Sequence, residues 1–191
     1  MANNADNVRV AVTGGLYYDN TGELTPPTGT ADDLTDWPDL GYISDEGITL
    51  NMPGEGDKTP IKAWQNGDVV RVMRTPPEDQ PTMELTCIET SLGAIEFAFG
   101  VEVEQSTNEG MYVINTNQER KHIPLVLDVI DGPELIRYFA PKAIVTGIGA
   151  TNLVNTGAIG YQLTIALDFD SGINGQIKTW ATALRADEPT G

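Results

Sequence analysis

The chain has 191 residues, 40% of them hydrophobic, with 28 acidic side chains against 11 basic ones and a formal charge of −17. That length fits one well-cored domain, and a surface so acidic repels nucleic-acid backbones, which excludes ordinary DNA or RNA binding. A single cysteine, Cys87, excludes an internal disulfide and a cysteine-rich zinc site, and no apolar run approaches the ~18 residues of a membrane span.

The charge is unevenly placed. No Lys or Arg falls between Arg9 and Lys58 or between Arg74 and Arg120, and those two gaps hold ten and nine acids. The second gap also contains Met83, Leu85, Ile88, Leu92, Ile95, Phe97 and Phe99, so its acids belong on the surface of folded elements and not in a disordered tract. The start, MANNADNVRVAV, lacks the basic region and apolar core of a secretory signal, so the expectation is a protein made in a cytoplasm.

In chain order, VRVAVTGGLYY (8–18) reads as a strand interrupted at Gly14-Gly15. Residues 14–39 read as an extended arm or loop, since DNTGELTPPTGTADDLTDWPD has prolines at 26, 27 and 38 and little periodicity. Loops of that length are uncommon inside compact domains, so the arm is expected to touch something outside its own core. GYISDEGITLNM (41–52) predicts two short strands around Asp45-Glu46-Gly47, followed by a flexible loop.

IKAWQNGDVVRVMRT (61–75) predicts a hairpin reversed at Asn66-Gly67, a pair that tolerates the positive φ values of a type I′ turn. PPEDQP then turns the chain, and Met83 to Glu89 alternates as a half-buried strand, with Cys87 as a buried small side chain. One helix is predicted. Thr90 or Ser91 caps it, Leu92, Ile95 and Phe99 share a face, and Gly100 ends it.

VEVE (101–104), MYVI (111–114) and HIPLVLDVID (122–131) read as strands, the last apolar on both parities. ELIRYFA and KAIVTGI read as two more, separated by Pro141. Tyr161, Leu163, Ile165, Leu167 and Phe169 alternate strictly with polar or small neighbours. QIKTWATAL (176–184) is a final strand before the tail RADEPTG; residues 171–191 thus form a short C-terminal strand and tail. The predicted fold is mainly β, a single domain over 1–191 built as a sandwich or barrel with one flanking α-helix and an extended N-terminal arm.

The candidate chemical motifs fail on their own terms. GEGDKT (54–59) puts Asp57 where a phosphate loop needs glycine. DFDSGING (168–175) lacks the glycine and the distal glutamate of a calcium loop, and GIGATN (147–152) lacks the third glycine of a dinucleotide fingerprint. His122 is the only histidine and no serine stands in a nucleophile elbow. Carboxylate pairs such as Asp32/Asp33, Glu102/Glu104 and Asp128/Asp131 are what chance supplies among 28 acids. No catalytic residue, cofactor or metal site is predicted.

WPDLGYISDEGITL (37–50), IKAWQNGDVVRVMRT (61–75), ELTCIETSLGAIEFAFG (84–100), LVLDVIDGPELIRYFAPKAIVTGIG (125–149) and IGYQLTIALDF (159–169) together form a set. In that order and spacing they resemble the major tail tube proteins of long-tailed, non-contractile bacteriophages, especially those of actinobacterial hosts. The resemblance implies a structural virion protein whose subunits form hexameric rings, stacked into a hollow tube for the genome. It further implies strands lent to a continuous inner barrel, a generally acidic interior, and arms or loops reaching to neighbouring rings.

Implied partners are further copies of the chain, a tape-measure protein, terminator and tail-tip proteins, and genomic DNA that passes without specific binding; no membrane is involved. The expected inter-subunit contacts are Lys58, Trp64, Asn66, Gly67 and Arg71 of the hairpin together with Trp37. Asp68, Glu84, Glu102 and Glu104 are the candidates for an acidic lumen. Ring stacking is assigned to the 14–39 arm and the 51–60 loop. Two other readings stay open: a related ring-forming component such as a terminator or distal tail protein, and a carbohydrate-binding β-sandwich that stacks sugars on Trp37, Trp64 or Trp180.

Overall fold

The alternating run near the C-terminus forms the strand around which the molecule is organised. The computed structural model describes residues 8–75 and 79–185. Within them the chain forms β1 (Thr13–Tyr18), β2 (Ile43–Asn51), β3 (Lys58–Lys62), β4 (Val69–Arg74), β5 (Thr82–Cys87), α1 (Leu92–Phe99), β6 (Glu104–Gln105), β7 (Gly110–Met111), β8 (Ile123–Asp131), β9 (Glu134–Ile148), β10 (Tyr161–Leu167) and β11 (Lys178–Ala181). The polar start, the first half of the PPEDQP turn and the tail beyond Arg185 lie outside the described residues.

An antiparallel sheet runs β1-β8-β9-β10-β5-β2, with β11 added on β9. β9 is the shared element. Its residues 134–143 pair with β8, 136–139 with β11, and 143–148 with β10. Because β8 takes one edge, β11 and β10 must succeed one another along the opposite edge. The sheet curls at this hand-over, and its two halves face each other across one core. Leu16, Leu125 and Leu127 enter from one half, Leu85, Leu163 and Ile165 from the other, and Ile95 and Phe97 from the helix.

The fold is therefore mainly β with one helix, as the sequence predicts, but several boundaries differ for physical reasons. Pro141 does not separate two strands: β9 runs through it. The proline falls between the β11 and β10 ladders on one edge and in a register shift of the β8 ladder on the other, so its missing N–H leaves no regular ladder position empty. The two strands expected around Asp45-Glu46-Gly47 are one, β2, with a register irregularity between Ile43 and Ile48.

Nor do Gly14-Gly15 interrupt a strand. They lie inside β1, where a side chain at position 14 would come within 2.3 Å of the Asp128 carbonyl oxygen, so only glycine allows β1 to close on β8. The expected strands VEVE and MYVI reduce to the two-residue pair β6–β7.

α1 is capped as expected: the Ser91 hydroxyl accepts from the Ala94 N–H, and Gly100 ends it in the left-handed conformation. Its buried face comprises Ala94, Ile95, Phe97 and Ala98, while Leu92 is exposed and Phe99 half-buried. Phe169, counted into the final alternation by its parity, lies beyond β10 and is exposed.

The segment predicted as an outward-reaching arm behaves differently. Residues 13–18 belong to the sheet, and the irregular stretch after them lies on the sheet's outer side. Leu34 and Trp37 are buried there against Val126 and Phe139, with Tyr17, Leu24 and Trp180 around them, and Trp37 meets Phe139 edge-on at 6.3 Å. This explains why β8 is apolar on both parities: Leu125 and Leu127 face the main core, and Val126 faces the layer beneath the arm.

Two carboxylates fix that layer. Asp128 and Arg137 are cross-strand partners on β8 and β9. Arg137 donates Nε to Asp128 Oδ1 and Nη2 to Oδ2, each at 2.7 Å, and both residues are buried. Its Nη1 donates to the Gly29 and Asp32 carbonyl oxygens, both at 2.9 Å, so one guanidinium ties two strands to the arm.

Asp19, buried where the arm leaves β1, accepts from the Thr21 hydroxyl and N–H and from the Gly22 and Leu24 N–H groups at 2.7–2.9 Å. Burial pushes its pKa up, but these donors outweigh that and hold it below the ordinary carboxylate value.

Two outcomes follow for stability. Arg137→Met should cost about 3–5 kcal/mol in urea denaturation, since Asp128 is left as an unpaired buried charge; adding Asp128→Leu should recover most of that loss while leaving the arm more susceptible to limited proteolysis. For Asp19, a lowered folded pKa means that its stabilisation is complete above the unfolded value of ~3.9 and is lost as pH falls through the folded one. Asp19→Asn should therefore cost about 1–3 kcal/mol at neutral pH, with the difference from the native chain shrinking on acidification below pH ~4.

Candidate assembly surfaces

Three open surfaces among the described residues bear on assembly. The first is the hairpin of β3 and β4, a two-stranded sheet of its own in which every residue is exposed. Its reversal is a four-residue loop, Trp64–Gly67, closed by hydrogen bonds from the Ala63 N–H to the Asp68 carbonyl (2.7 Å) and from the Gly67 N–H to the Ala63 carbonyl (2.9 Å). Only Gly67, at φ 74°, takes the left-handed conformation; Asn66 does not, so the predicted type I′ turn is replaced by a wider one.

The Asn66 side chain works inside that loop, its amide donating to the Asp68 carboxylate at 2.5 Å and its oxygen accepting the Asp68 N–H at 3.1 Å. Trp64, at the tip, is 95% exposed. Val69, Val70, Val72 and Met73 are also exposed, so apolar side chains project from both faces of a ribbon in which no residue is buried. An isolated two-stranded ribbon is marginal in water.

The hairpin also concentrates positive charge. Lys58, Lys62, Arg71 and Arg74 are four of the eleven basic residues. Lys58 and Arg74, at the base, pair with Glu55, the latter at 3.8 Å. Lys62 and Arg71, nearer the tip, have no ion-pair partner among the described residues.

The second surface is the outer face of the half-sheet β2-β5-β10 with residues 143–148 of β9. Its core side is apolar, and its other side presents Thr49, Asn51, Thr82, Glu84, Gln162 and Thr164, none of them buried. Asn51 Nδ2 donates to Glu84 Oε1 at 3.1 Å. Among the described residues no arm covers this face.

Of the four carboxylates predicted to share a surface, only Glu84 is here. Asp68 is bound within the hairpin loop, Glu102 lies in the irregular segment after the helix, and Glu104 is on the small β6–β7 pair. The third surface is the pair of free edges of this same half-sheet: the outer edge of β2, and β9 beyond Ala143 on the side opposite β10, where β8 no longer pairs.

The tryptophans are dispersed. Trp37, expected at an inter-subunit contact, is 6% exposed inside its own subunit, because the arm folds inward on Phe139. Trp180 borders the same layer with the Lys178 ammonium 4.9 Å above its ring, and Trp64 stands alone. They form no common stacking platform.

His122 meets Asp168 at 2.6 Å on a partly exposed surface, which supplies no nucleophile. Among the described residues no group of three or more His, Cys, Asp or Glu is arranged to hold a metal ion, and no helix is long and apolar enough to cross a membrane. Cys87 is buried, and burial pushes its thiol up to about 12. Sequence reasoning overlooked the Arg137–Asp128 pair and the threonine-rich face. The double-parity apolarity of β8 signalled a second covered face, but not what covers it.

A small β fold with a closed core, an exposed apolar ribbon and free sheet edges offers surfaces suited to contacts with other chains. The family model for the phage tail tube protein matches residues 1–183, and the chain belongs to that family. The family is structural and non-enzymatic, so this is a tail tube component of the bacteriophage virion that self-assembles and works with other tail proteins. A search of curated proteins finds no match.

The two exposed and buried tryptophans give a direct contrast. Trp37→Ala should destabilise the isolated subunit by about 3–5 kcal/mol, whereas Trp64→Ala should change its denaturation midpoint by no more than the ~0.5 kcal/mol typical of surface sites. Any assembly defect of Trp64→Ala is then a contact defect and not a folding one.

Proposed function

We propose that six copies close into a ring through the free edges of the half-sheet, and that rings stack into the hollow tube through which the genome leaves the capsid. The observation that carries this reading is the half-sheet itself. It has four strands per subunit, one face on the core, one face polar and uncovered, and an unpaired edge at each side. Edge-to-edge pairing of β2 with residues 144–148 of a neighbour's β9 is a heterologous contact, and such contacts close into rings when the rotation permits.

Six four-stranded contributions give ~24 strands, and with ~4.8 Å spacing and ~40° tilt the barrel has a backbone diameter of about 50 Å. Side chains reduce that to roughly 40 Å, ample for duplex DNA. In this reading the uncovered polar face lines the lumen, with a ring of Glu84 carboxylates among threonines and amides instead of a dense acidic coat. The phosphate backbone meets neutral or like-charged groups and has no cation to grip, so DNA slides.

A ring carries about a hundred formal negative charges, which means that assembly rests on backbone pairing, apolar contact and the few cations. A tape-measure protein fills the tube during assembly in the host cytoplasm, and terminator and tip proteins close its ends.

Electron microscopy of the purified protein tests the reading: hollow tubes or stacked six-fold rings are expected, and a protein that stays monomeric at high concentration contradicts it. Ile148→Pro, at a position whose N–H faces the free edge of β9 because the next residue, Gly149, donates to β10, should abolish rings while changing the circular dichroism spectrum of the subunit little.

A further inference from the structure

The hairpin and a cleft elsewhere on the subunit have complementary chemistry. The cleft has a volume of about 540 Å³ and lies between the irregular start of β2 and the 150–160 loop, in the size range that receives a small ligand or a loop tip. Its lining includes Ser44, Asp45, Glu46, Ile88, Asn152 and Gln162. None of the segments that form it, 43–46, 86–88 and 150–162, contains a Lys or Arg. The 150–160 loop that borders it exposes Leu153, Val154 and Ile159. The Ser44 hydroxyl is buried there without a hydrogen-bond partner, a state that a buried polar group rarely keeps in a finished structure.

The hairpin supplies what the cleft lacks: an exposed indole carrying an N–H donor, flanked by Lys62 and Arg71, with valines behind it. The two features cannot meet in one subunit. The hairpin leaves the sheet at the Asn51/Thr82 end of the β2–β5 pair, and the cleft lies at the Ile43/Cys87 end, so the full length of β2 separates them, about 27 Å at ~3.4 Å per residue. A donor at one end of a sheet and its acceptor at the other make a head-to-tail contact that propagates along the strand direction without closing.

We propose that the hairpin tip of one copy seats Trp64 in the cleft of the next copy along the tube, with Lys62 and Arg71 facing Asp45 and Glu46. This assignment rests on the tube reading above and names the pair of surfaces that joins successive rings. Apolar contact of Trp64 with Leu153 and Val154 of the 150–160 loop supplies adhesion. The charge pairing supplies direction, since a subunit docked the other way sets acidic cleft against acidic cleft.

The test keeps Trp64 in place. Gln65→Cys and Asn152→Cys subunits are prepared separately, mixed, assembled and oxidised; Cys87 is buried in both. A disulfide-linked dimer is expected in tubes of the mixture and in tubes of neither variant alone. Independently, Glu46→Lys or Lys62→Glu alone should shorten tubes several-fold, and the two together in one chain should restore their length.

Tubes that form from the mixture with no dimer between the variants, or charge reversals whose effects add without rescue, overturn the assignment of these surfaces. A native chain that makes no tubes at all overturns the tube reading instead.

Discussion

The Arg137 guanidinium is the point on which the arrangement depends. It holds two strands in register through Asp128 and reaches out of the sheet to the Gly29 and Asp32 carbonyl oxygens. Buried ion pairs contribute little net stability, because desolvation offsets their attraction. Their effect is specificity. Here the pair commits one half of the curled sheet to burial on both faces, with Trp37 and Leu34 pressed on Val126 and Phe139.

The other half-sheet has no such cover, and that asymmetry makes the subunit a wall with two different sides. The covered side carries the arm, and the uncovered side is hydrogen-bonded, threonine-rich and nearly free of cations. Two sheet edges, the Ser44 hydroxyl and the ribbon of β3 and β4 all lie at the margins of the uncovered half. Those features leave surfaces open for contact with further copies. The net charge opposes association at long range, so short-range contacts must decide the geometry.

How much of this the sequence discloses depends on whether a feature is local. The capped helix, the strands with clean alternation and the buried cysteine are set by neighbours a few residues apart, and they are where the residues say. The passage of β9 through Pro141 is not local, since it depends on which strands lie alongside. The inward packing of the arm is non-local in the same way. Pro26, Pro27 and Pro38 exclude regular structure and so mimic a projecting loop, while the reason that it folds inward is an arginine a hundred residues further on.

At the surfaces, Trp64 and the hairpin cations are readable from the turn that exposes them. Trp37 is identical chemistry in a covered place, and composition cannot separate the two. Glu84 differs from Glu102 and Glu104 in standing on β5, between β2 and β10 in the large sheet, a placement that no local pattern reveals.

The central claim is that the uncovered half-sheet faces inward in the assembled tube and the arm-covered half faces outward. A cryo-electron microscopy reconstruction of assembled tubes tests it most directly. The account predicts Glu84, Thr49 and Thr164 on the lumen wall, with Arg137 and the 20–39 arm on the outer side. A map in which the arm lines the lumen and the threonine face meets solvent outside would contradict it.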